Sequence, residues 1–312
     1  MTYAATLDHV TKRFGDHTAV DDLSLRIPQG SIYGFIGPNG AGKTTTIRML
    51  MSIFYPDSGS IRVLGNDSPE AIKDRLGYLP EEKGLYKSMR VQEIVAYFGK
   101  LKGMTSRDAN QRAHDLLVRY GLGDWLQVKC QALSKGMGQK VQLLGTIIHS
   151  PELVILDEPF SGLDPVNMEL MRSTILDMKR EGRTVIFSTH VMKQAEEICD
   201  YVFMIHRSKK VFDGPIHQIK QSAGGGVHLA YDGDAAAVFA ELTRDGLASR
   251  INDAGKEAEI HPADGIDPQA ILARLVGRVT VRSFDLREIS LHEIFVRKVR
   301  ELSGEVLEET PR

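Results

Sequence analysis

Residues 37–45 read Gly-Pro-Asn-Gly-Ala-Gly-Lys-Thr-Thr and satisfy the pattern G-x-x-x-x-G-K-[ST] in full. Gly37, Gly40 and Gly42 keep side chains off a loop whose backbone N–H groups can then wrap a polyphosphate. Lys43 brings positive charge between the β- and γ-phosphates, and Thr44 offers a hydroxyl to Mg²⁺. Pro38, Asn39, Ala41 and Thr45 complete the candidate binding loop. A helix beginning near Gly42 would aim the positive end of its dipole at the anion. The second candidate is Leu153-Val154-Ile155-Leu156-Asp157-Glu158, four apolar residues followed by two carboxylates. A buried strand would deliver Asp157 to the carboxyl edge of a sheet, where α/β proteins bind ligands. There Asp157 could hold Mg²⁺, directly or through water, and Glu158 could orient or deprotonate an attacking water. Taken alone, such a pair is usually a solvated turn. The glycine loop upstream is what gives it chemical meaning.

Elements must hold these groups in place. Ser31–Gly37 reads as a buried strand entering the loop. Gly42–Phe54 leaves it with helical spacing, Ile47, Leu50, Met51 and Phe54 falling at i, i+3, i+4 and i+7. Residues 1–30 read as short strands with turns, including Ser24–Ile27. Further strand candidates are Ile61–Leu64, Arg75–Leu79, Leu153–Asp157, Thr184–Ser188 and Tyr201–Ile205, while residues 88–150 are mainly helical. Alternating strands and helices predict an α/β domain with a largely parallel sheet. Near Asp213-Gly214-Pro215 the composition changes, and Ser222–Gly226 reads as a flexible linker. Beyond it the pattern is strand, helix, two strands, helix, strand, helix. The last helix has a capping-box signal, Ser290-x-x-Glu293, and an apolar face of Leu291, Phe295, Val299 and Leu302. The basic run His206–Lys210 reads as an exposed hairpin turn rather than a phosphate or lipid patch.

The whole chain fits that picture. Its 312 residues suggest two domains at ~150 residues each. With 42% hydrophobic and 26% charged residues it is an ordinary globular composition, which argues against disorder. The net charge of −2 gives no general field for nucleic acid, and no nucleic-acid partner is expected. Two cysteines, Cys130 and Cys199, exclude a disulfide scaffold and suit a reducing cytosol. No apolar stretch approaches the ~20 residues of a membrane helix. The first fifteen residues carry Asp8, His9, Lys12 and Arg13 where a signal peptide needs its apolar core. A soluble chain, or one attached to a membrane only through a partner, is expected.

Residues 133–140, Leu-Ser-Lys-Gly-Met-Gly-Gln-Lys, precede the acidic strand. They resemble the LSGGQ signature of the ATP-binding cassette (ABC) ATPases. The rest of that family's pattern follows in order. Phe14 lies where the family has its adenine-stacking aromatic, Ser161-Gly162-Leu163-Asp164 resembles the D-loop, and Thr189-His190 resembles the switch histidine after its strand. The resemblance covers roughly residues 2–218. Two departures stand out. Lys135 and Met137 replace a signature glycine and the glutamine, while Ser134 and Gly136 are retained. Glu81, in Gly77-Tyr78-Leu79-Pro80-Glu81-Glu82, stands where the family usually has Gln, with Glu82 the alternative alignment. Both departures resemble the exporter branch that includes sodium-extrusion and drug-efflux subunits. That branch often carries an extra C-terminal α/β unit, whose end Ile289–Phe295 resembles.

The resemblance implies an α/β P-loop NTPase of ABC type, with a mostly parallel core sheet, an N-terminal antiparallel β subdomain, a helical subdomain at 88–150 and a small C-terminal α+β domain. The implied layout is a nucleotide-binding domain at 1–218, a linker at 219–226, the accessory domain at 227–302 and a frayed tail at 303–312. It implies ATP and Mg²⁺ as cofactors, with Thr44, Glu81 and Asp157 toward the metal. Phe14 and residues 37–45 would bind the nucleotide, Lys43, Glu158 and His190 would be catalytic, and Asp164 would be the D-loop acid. Ser134, Lys135, Gly136 and Met137 would contact ATP held by a second ATPase subunit, in a homodimer or heterodimer. Polytopic membrane permease subunits would be the other partners, at the cytoplasmic face of the cell membrane, and they would select the cargo. The implied function is ATP hydrolysis that drives transport, in the export direction. The alternative is an ABC ATPase of translation or DNA maintenance. Such proteins usually carry two cassettes or long coiled coils, neither of which is present. A GTPase would need an N-K-x-D motif, which is absent, and a P-loop kinase would need neither Ser134–Gly136 nor Ser161–Asp164.

Overall fold

The alternating pattern folds as a mixed α/β chain in a computed structural model that describes residues 2–67, 69–81, 84–263, 265–287 and 289–303. It divides into two compact units at Gly214–Pro215. The first begins with β1 (Tyr3–Phe14), β2 (His17–Pro28), β3 (Ile32–Ile36), α1 (Lys43–Leu50), β4 (Ser58–Val63) and β5 (Leu76–Leu79). Then come α2 (Val91–Leu101), α3 (Ser106–Arg119), α4 (Lys135–Ile147), β6 (Leu153–Leu156) and α5 (Pro165–Arg180). β7 (Thr184–Thr189), α6 (Met192–Ile198), β8 (Tyr201–His206) and β9 (Lys209–Pro215) complete it.

Two sheets form the first unit. One is antiparallel, in the order β2-β1-β4; the other has six strands, in the order β5-β6-β7-β3-β8-β9. β5, β6, β7, β3 and β8 pair parallel. Strands covered on both faces read as continuous apolar runs, and every residue of β3, β6 and β7 is buried. Ile27, Tyr33, Phe35, Ile47, Leu50, Ile155 and Phe203 belong to one core between the sheets.

Four local expectations change. β1 and β2 are twelve-residue strands, not short ones, because bulges interrupt their alternation. His9 and Asp22 sit at φ 50° and 49° in those irregular stretches, so the apolar period slips while pairing continues. Helix α1 stops at Leu50, short of Phe54. Ser52 turns to φ 53°, the N–H groups of Ile53 and Phe54 fold back on the Arg48 carbonyl, and Pro56 follows. The basic run does form the β8–β9 turn, with Arg207 and Ser208 at φ 46° and 66°. It is not simply exposed, however. Ser208 is buried, donates to the Thr18 carbonyl at 2.6 Å and accepts from Asp21 N at its own carbonyl, while its N–H reaches the Ala41 carbonyl. Lastly, helix takes the first half of the expected linker at 219–226.

That helix, α7 (Ile216–Ser222), opens the second unit, followed by β10 (Gly226–Asp232), α8 (Ala236–Arg244), β11 (Ala248–Asp253), β12 (Glu257–Pro262), α9 (Pro268–Leu275), β13 (Thr280–Arg287) and α10 (Leu291–Ser303). From β10 onward this is the strand–helix order read from the sequence. The sheet order β11-β12-β10-β13 is the split β-α-β arrangement. Val227, Leu229, Ala258 and Ile260 pack with Val238, Leu242, Ile271 and Leu275 of the two helices. The capping box is present: Glu293 Oε2 accepts from Ser290 N at 2.8 Å, and Glu293 N donates to Ser290 Oγ at 3.2 Å. The tail at 304–312 lies outside the described residues.

His149, just past α4, ties that helix to β5 by bonding the Leu76 carbonyl through Nε2 at 3.0 Å. Burial lowers its pKa from 6.5 to about 4, and Lys102 and Arg183 push the same way. The unfolded chain takes up this proton near 6.5 and the folded chain only near 4, so folding stability contributed here falls as pH drops through that window and levels below it. His149→Gln should flatten this part of the stability–pH curve in urea unfolding. A variant that loses as much stability as the parent between about pH 7 and about pH 4 would contradict the assignment.

Candidate functional site

Parallel pairing sends the ends of β3, β6 and β7 to one edge of the sheet. The glycine loop follows β3, Asp157 and Glu158 follow β6, and Thr189-His190 closes β7. Because β7 lies between β3 and β6, its last residues stand between the loop and the acidic pair.

The loop is built for close approach. At Gly42, φ is 114° and a Cβ would strike the Ala19 carbonyl oxygen. Gly42 caps α1 without a side-chain bond, so the first N–H groups of the helix remain for a ligand. Lys43 Nζ donates to the Gly37 and Pro38 carbonyls at 2.7 and 3.2 Å and stands 3.6 Å from Glu158 Oε1. The two side chains are only 6% and 8% exposed. Burial presses the lysine pKa down, and Glu158, Asp157 and Glu81 pull it back up.

Thr44 Oγ1 donates to Asp157 Oδ1 at 3.3 Å. Ser188 Oγ donates to the same oxygen at 2.5 Å and accepts from Glu158 N at 3.0 Å. Glu158 Oε2 lies 3.1 Å from His190 Nδ1, while its buried Oε1 has no hydrogen-bond partner. The Glu158 backbone is at φ 48°, a left-handed conformation rare for this residue type. A cavity of about 410 Å³ opens here, lined by residues 39–45 of the loop with Phe14, His17, Ala19, Glu81 and Glu158. Phe14, 44% exposed, meets Phe54 edge-on at 5.3 Å between centroids and has Lys12 Nζ 5.4 Å from its ring centre. Glu81 lies on the exposed bend after β5 and faces this cavity; Glu82 lies outside the described residues. The hydroxyl of Thr44 and the carboxylates of Asp157 and Glu81 are all hard oxygen donors. Glu158 Oε1, a carboxylate oxygen with no hydrogen bond, belongs to the same site, so the donor set fits Mg²⁺.

The signature residues stand apart from this cavity, and none of Ser134, Lys135, Gly136 or Met137 lines it. Ser134 caps α4, its Oγ accepting from Met137 N at 3.3 Å. A Cβ on Gly136 would collide with Asn167, which Asp164 holds through its backbone N–H at 3.0 Å and its side chain at 2.6 Å. Lys135 covers Gly162, at the position a Cβ would take. The α4 terminus and the Ser161–Asp164 turn are thus packed on each other.

Three residues escaped the sequence reading. Ser188 organises both carboxylates, and its signal is a hydroxyl ending a buried strand. His17 shares the cavity with Phe14, a neighbour across the β1–β2 turn. Asn167, three residues after Asp164, carries only the ordinary sign of an N-cap partner.

Comparison with known proteins follows the same division. A family model described as ABC transporter matches residues 20–161. Another, described as the C-terminal domain of DrrA1-3-like ATP-binding proteins, matches residues 214–299. The chain is 41% identical to the uncharacterized ABC transporter ATP-binding protein YhaQ of Bacillus subtilis (strain 168), over 94% of this chain and 98% of that protein. It is 33% identical to a Nod factor export ATP-binding protein I of Burkholderia lata, over 93% and 94% of the two chains. A solved ATP-binding subunit of an ABC transporter superposes with a TM-score of 0.65 at 28% identity, covering 71% of this chain and 93% of that one.

Ser188→Ala would leave the buried Glu158 N–H and Asp157 Oδ1 short of a partner. We expect a loss of about 1–3 kcal/mol in chemical unfolding, with Ser188→Thr retaining much of it. An unchanged midpoint for the alanine variant would show that the hydroxyl does not organise the pair.

Proposed function

The chain belongs to the ABC transporter ATP-binding proteins, and from that premise we propose that it hydrolyses ATP to drive export through polytopic membrane subunits. The observation that carries the reading is the meeting of Lys43, Thr44 and Glu158 on one cavity beside open backbone donors, with Asp157 bonded to Thr44 and His190 to Glu158. The loop N–H groups and Lys43 bind the phosphates, and Phe14 offers its exposed ring to the base. Glu158 takes a proton from the water that attacks the terminal phosphorus, as the bond to the bridging oxygen breaks and ADP departs. His190, on Glu158 Oε2, fixes the direction of that carboxylate and reaches toward the terminal phosphate. Thr44, Asp157 and Glu81 would hold Mg²⁺, which when bound neutralises phosphate charge.

The loop grips a polyphosphate from one side. Ser134 and the Gly136 N–H, at the start of α4 and outside the cavity, suit the second side of a nucleotide held by another subunit. ATP would then favour a head-to-tail pair of subunits, and hydrolysis would release it. The export direction rests on the Nod factor export relative and the DrrA-like C-terminal match. No described helix is long and apolar enough to cross a membrane. That accords with a cytoplasmic-face subunit whose permease partners select the cargo.

Turnover measured with the natural membrane subunits tests the core of this. Glu158→Gln should keep ATP binding, lose hydrolysis by about 10²-fold or more, and accumulate ATP-bound dimers in size exclusion. Lys43→Ala should lose both binding and turnover. Full activity in the Lys43 variant would refute the reading. Separately, the Glu81 carboxylate adds negative charge beside the terminal phosphate. Glu81→Gln should make ATP affinity less dependent on Mg²⁺ in a metal titration, and an identical dependence would remove Glu81 from the metal's surroundings.

A further inference from the structure

The turn that carries Glu158 is held in a conformation its sequence disfavours. Glu158 stands at φ 48°, and Pro159 follows it. A residue before proline prefers extended backbone, and glutamate rarely takes a positive φ. Such a turn persists only where its surroundings over-determine it. The Glu158 N–H donates to Ser188 Oγ at 3.0 Å, and Ser161 N donates to the Glu158 carbonyl at 3.1 Å. Phe160 is anchored by an edge-on contact with Phe187 of β7, 5.8 Å between centroids.

A further brace comes from α4. Gln139, in the second turn of that helix, is 2% exposed, and its Nε2 donates to the Pro159 carbonyl. The buried Val141, Leu143 and Leu144 of the same helix are apolar, and an apolar side chain would bury at lower cost than an amide. What the amide adds is a donor aimed at the residue just after the candidate base. Glu158 has Oε1 3.6 Å from Lys43 Nζ and Oε2 3.1 Å from His190 Nδ1. The direction of that carboxylate follows its Cα–Cβ bond, and the Cα–Cβ bond moves with the turn.

We infer that Gln139 is a positioning residue for hydrolysis: by holding the Pro159 carbonyl it keeps the Glu158 carboxylate beside Lys43 and His190. The inference rests on the reading of Glu158 as the group that takes the proton from water. Gln139 does not line the nucleotide cavity, so its effect on turnover comes through Glu158.

The test is ATP turnover of the chain with its natural membrane subunits. Gln139→Met keeps the length of the side chain and removes the donor. We expect kcat to fall about tenfold or more, with a much smaller change in KM. Gln139→Glu is the sharper variant. Its protonated carboxyl donates to the Pro159 carbonyl, and its ionised form cannot. Its kcat, relative to the parent at the same pH, should therefore recover as pH falls, while Gln139→Met stays at a constant fraction. In a Glu158→Gln background, Gln139→Met should cause no further loss, because the group it positions is already gone. Turnover that survives Glu158→Gln would refute Glu158 as the base, and this proposal with it. Turnover lost in Glu158→Gln but retained in Gln139→Met would overturn the positioning role alone. So would identical pH profiles for Gln139→Glu and Gln139→Met, or a kcat loss that vanishes once the folded fraction from urea unfolding is counted.

Discussion

A lysine ammonium and two carboxylates are buried within one small volume, and the rest of the first unit is arranged to make that tolerable. Removing an ion from water costs several kcal/mol even after relaxation. Lys43 offsets its share with two loop carbonyls and the nearby Glu158. Asp157 is met by two hydroxyls, from Thr44 and Ser188. Glu158 Oε1 makes no hydrogen bond and is answered only by Lys43 Nζ, 3.6 Å away. These partners are set in place by the fold itself. The parallel sheet is the means. Only strands buried on both faces, running the same way, can end three different chemistries at one edge.

Much of this was legible because it is local. The glycine loop is a contiguous run whose residue types are each dictated by the close approach of a polyanion, and the Leu153–Glu158 run announces a buried strand with its payload at the end. The capping box at Ser290 and the N-cap at Ser134 read correctly for the same reason, since each is completed within three residues. Ser188 could not be read that way. Its importance follows from strand order, β7 standing between β3 and β6, and nothing within the Thr184–Thr189 run states which strands will flank it. The long strands β1 and β2 were hidden by bulges, which shift the apolar period without breaking the pairing. The expected linker failed differently. Ser222–Gly226 is rich in glycine, yet Ile216–Ser222 has enough helix-forming residues to fold as α7, so helix runs into the span expected as linker, while the units part at Gly214–Pro215, where the composition changes.

The basic turn at His206–Lys210 illustrates how charge composition misleads. Its two lysines are spoken for within the first unit, Lys209 near Asp21 and Lys210 on the Ser24 carbonyl. Ser208 in the middle is a brace, joining the Thr18 carbonyl and the Ala41 carbonyl of the glycine loop. The antiparallel sheet thereby reaches the loop on its far side. Phe14 and His17, at the tip of that sheet, accordingly share the cavity with residues that follow a strand of the other sheet.

The two edges of the parallel sheet differ in electrostatic character, for a reason built into the architecture. Helices that follow parallel strands begin at the carboxyl edge, so backbone N–H groups and positive dipole ends gather there. A glycine loop with one lysine can then hold a polyphosphate. At the amino edge the same helices end, and their carbonyls face outward with the opposite sign. The last turns of α3 and α5 carry Arg119, Lys179 and Arg180, which answer that negative end. Arg183 lies beyond α5, at the foot of β7, and its buried Nη1 answers neither a helix end nor a carboxylate.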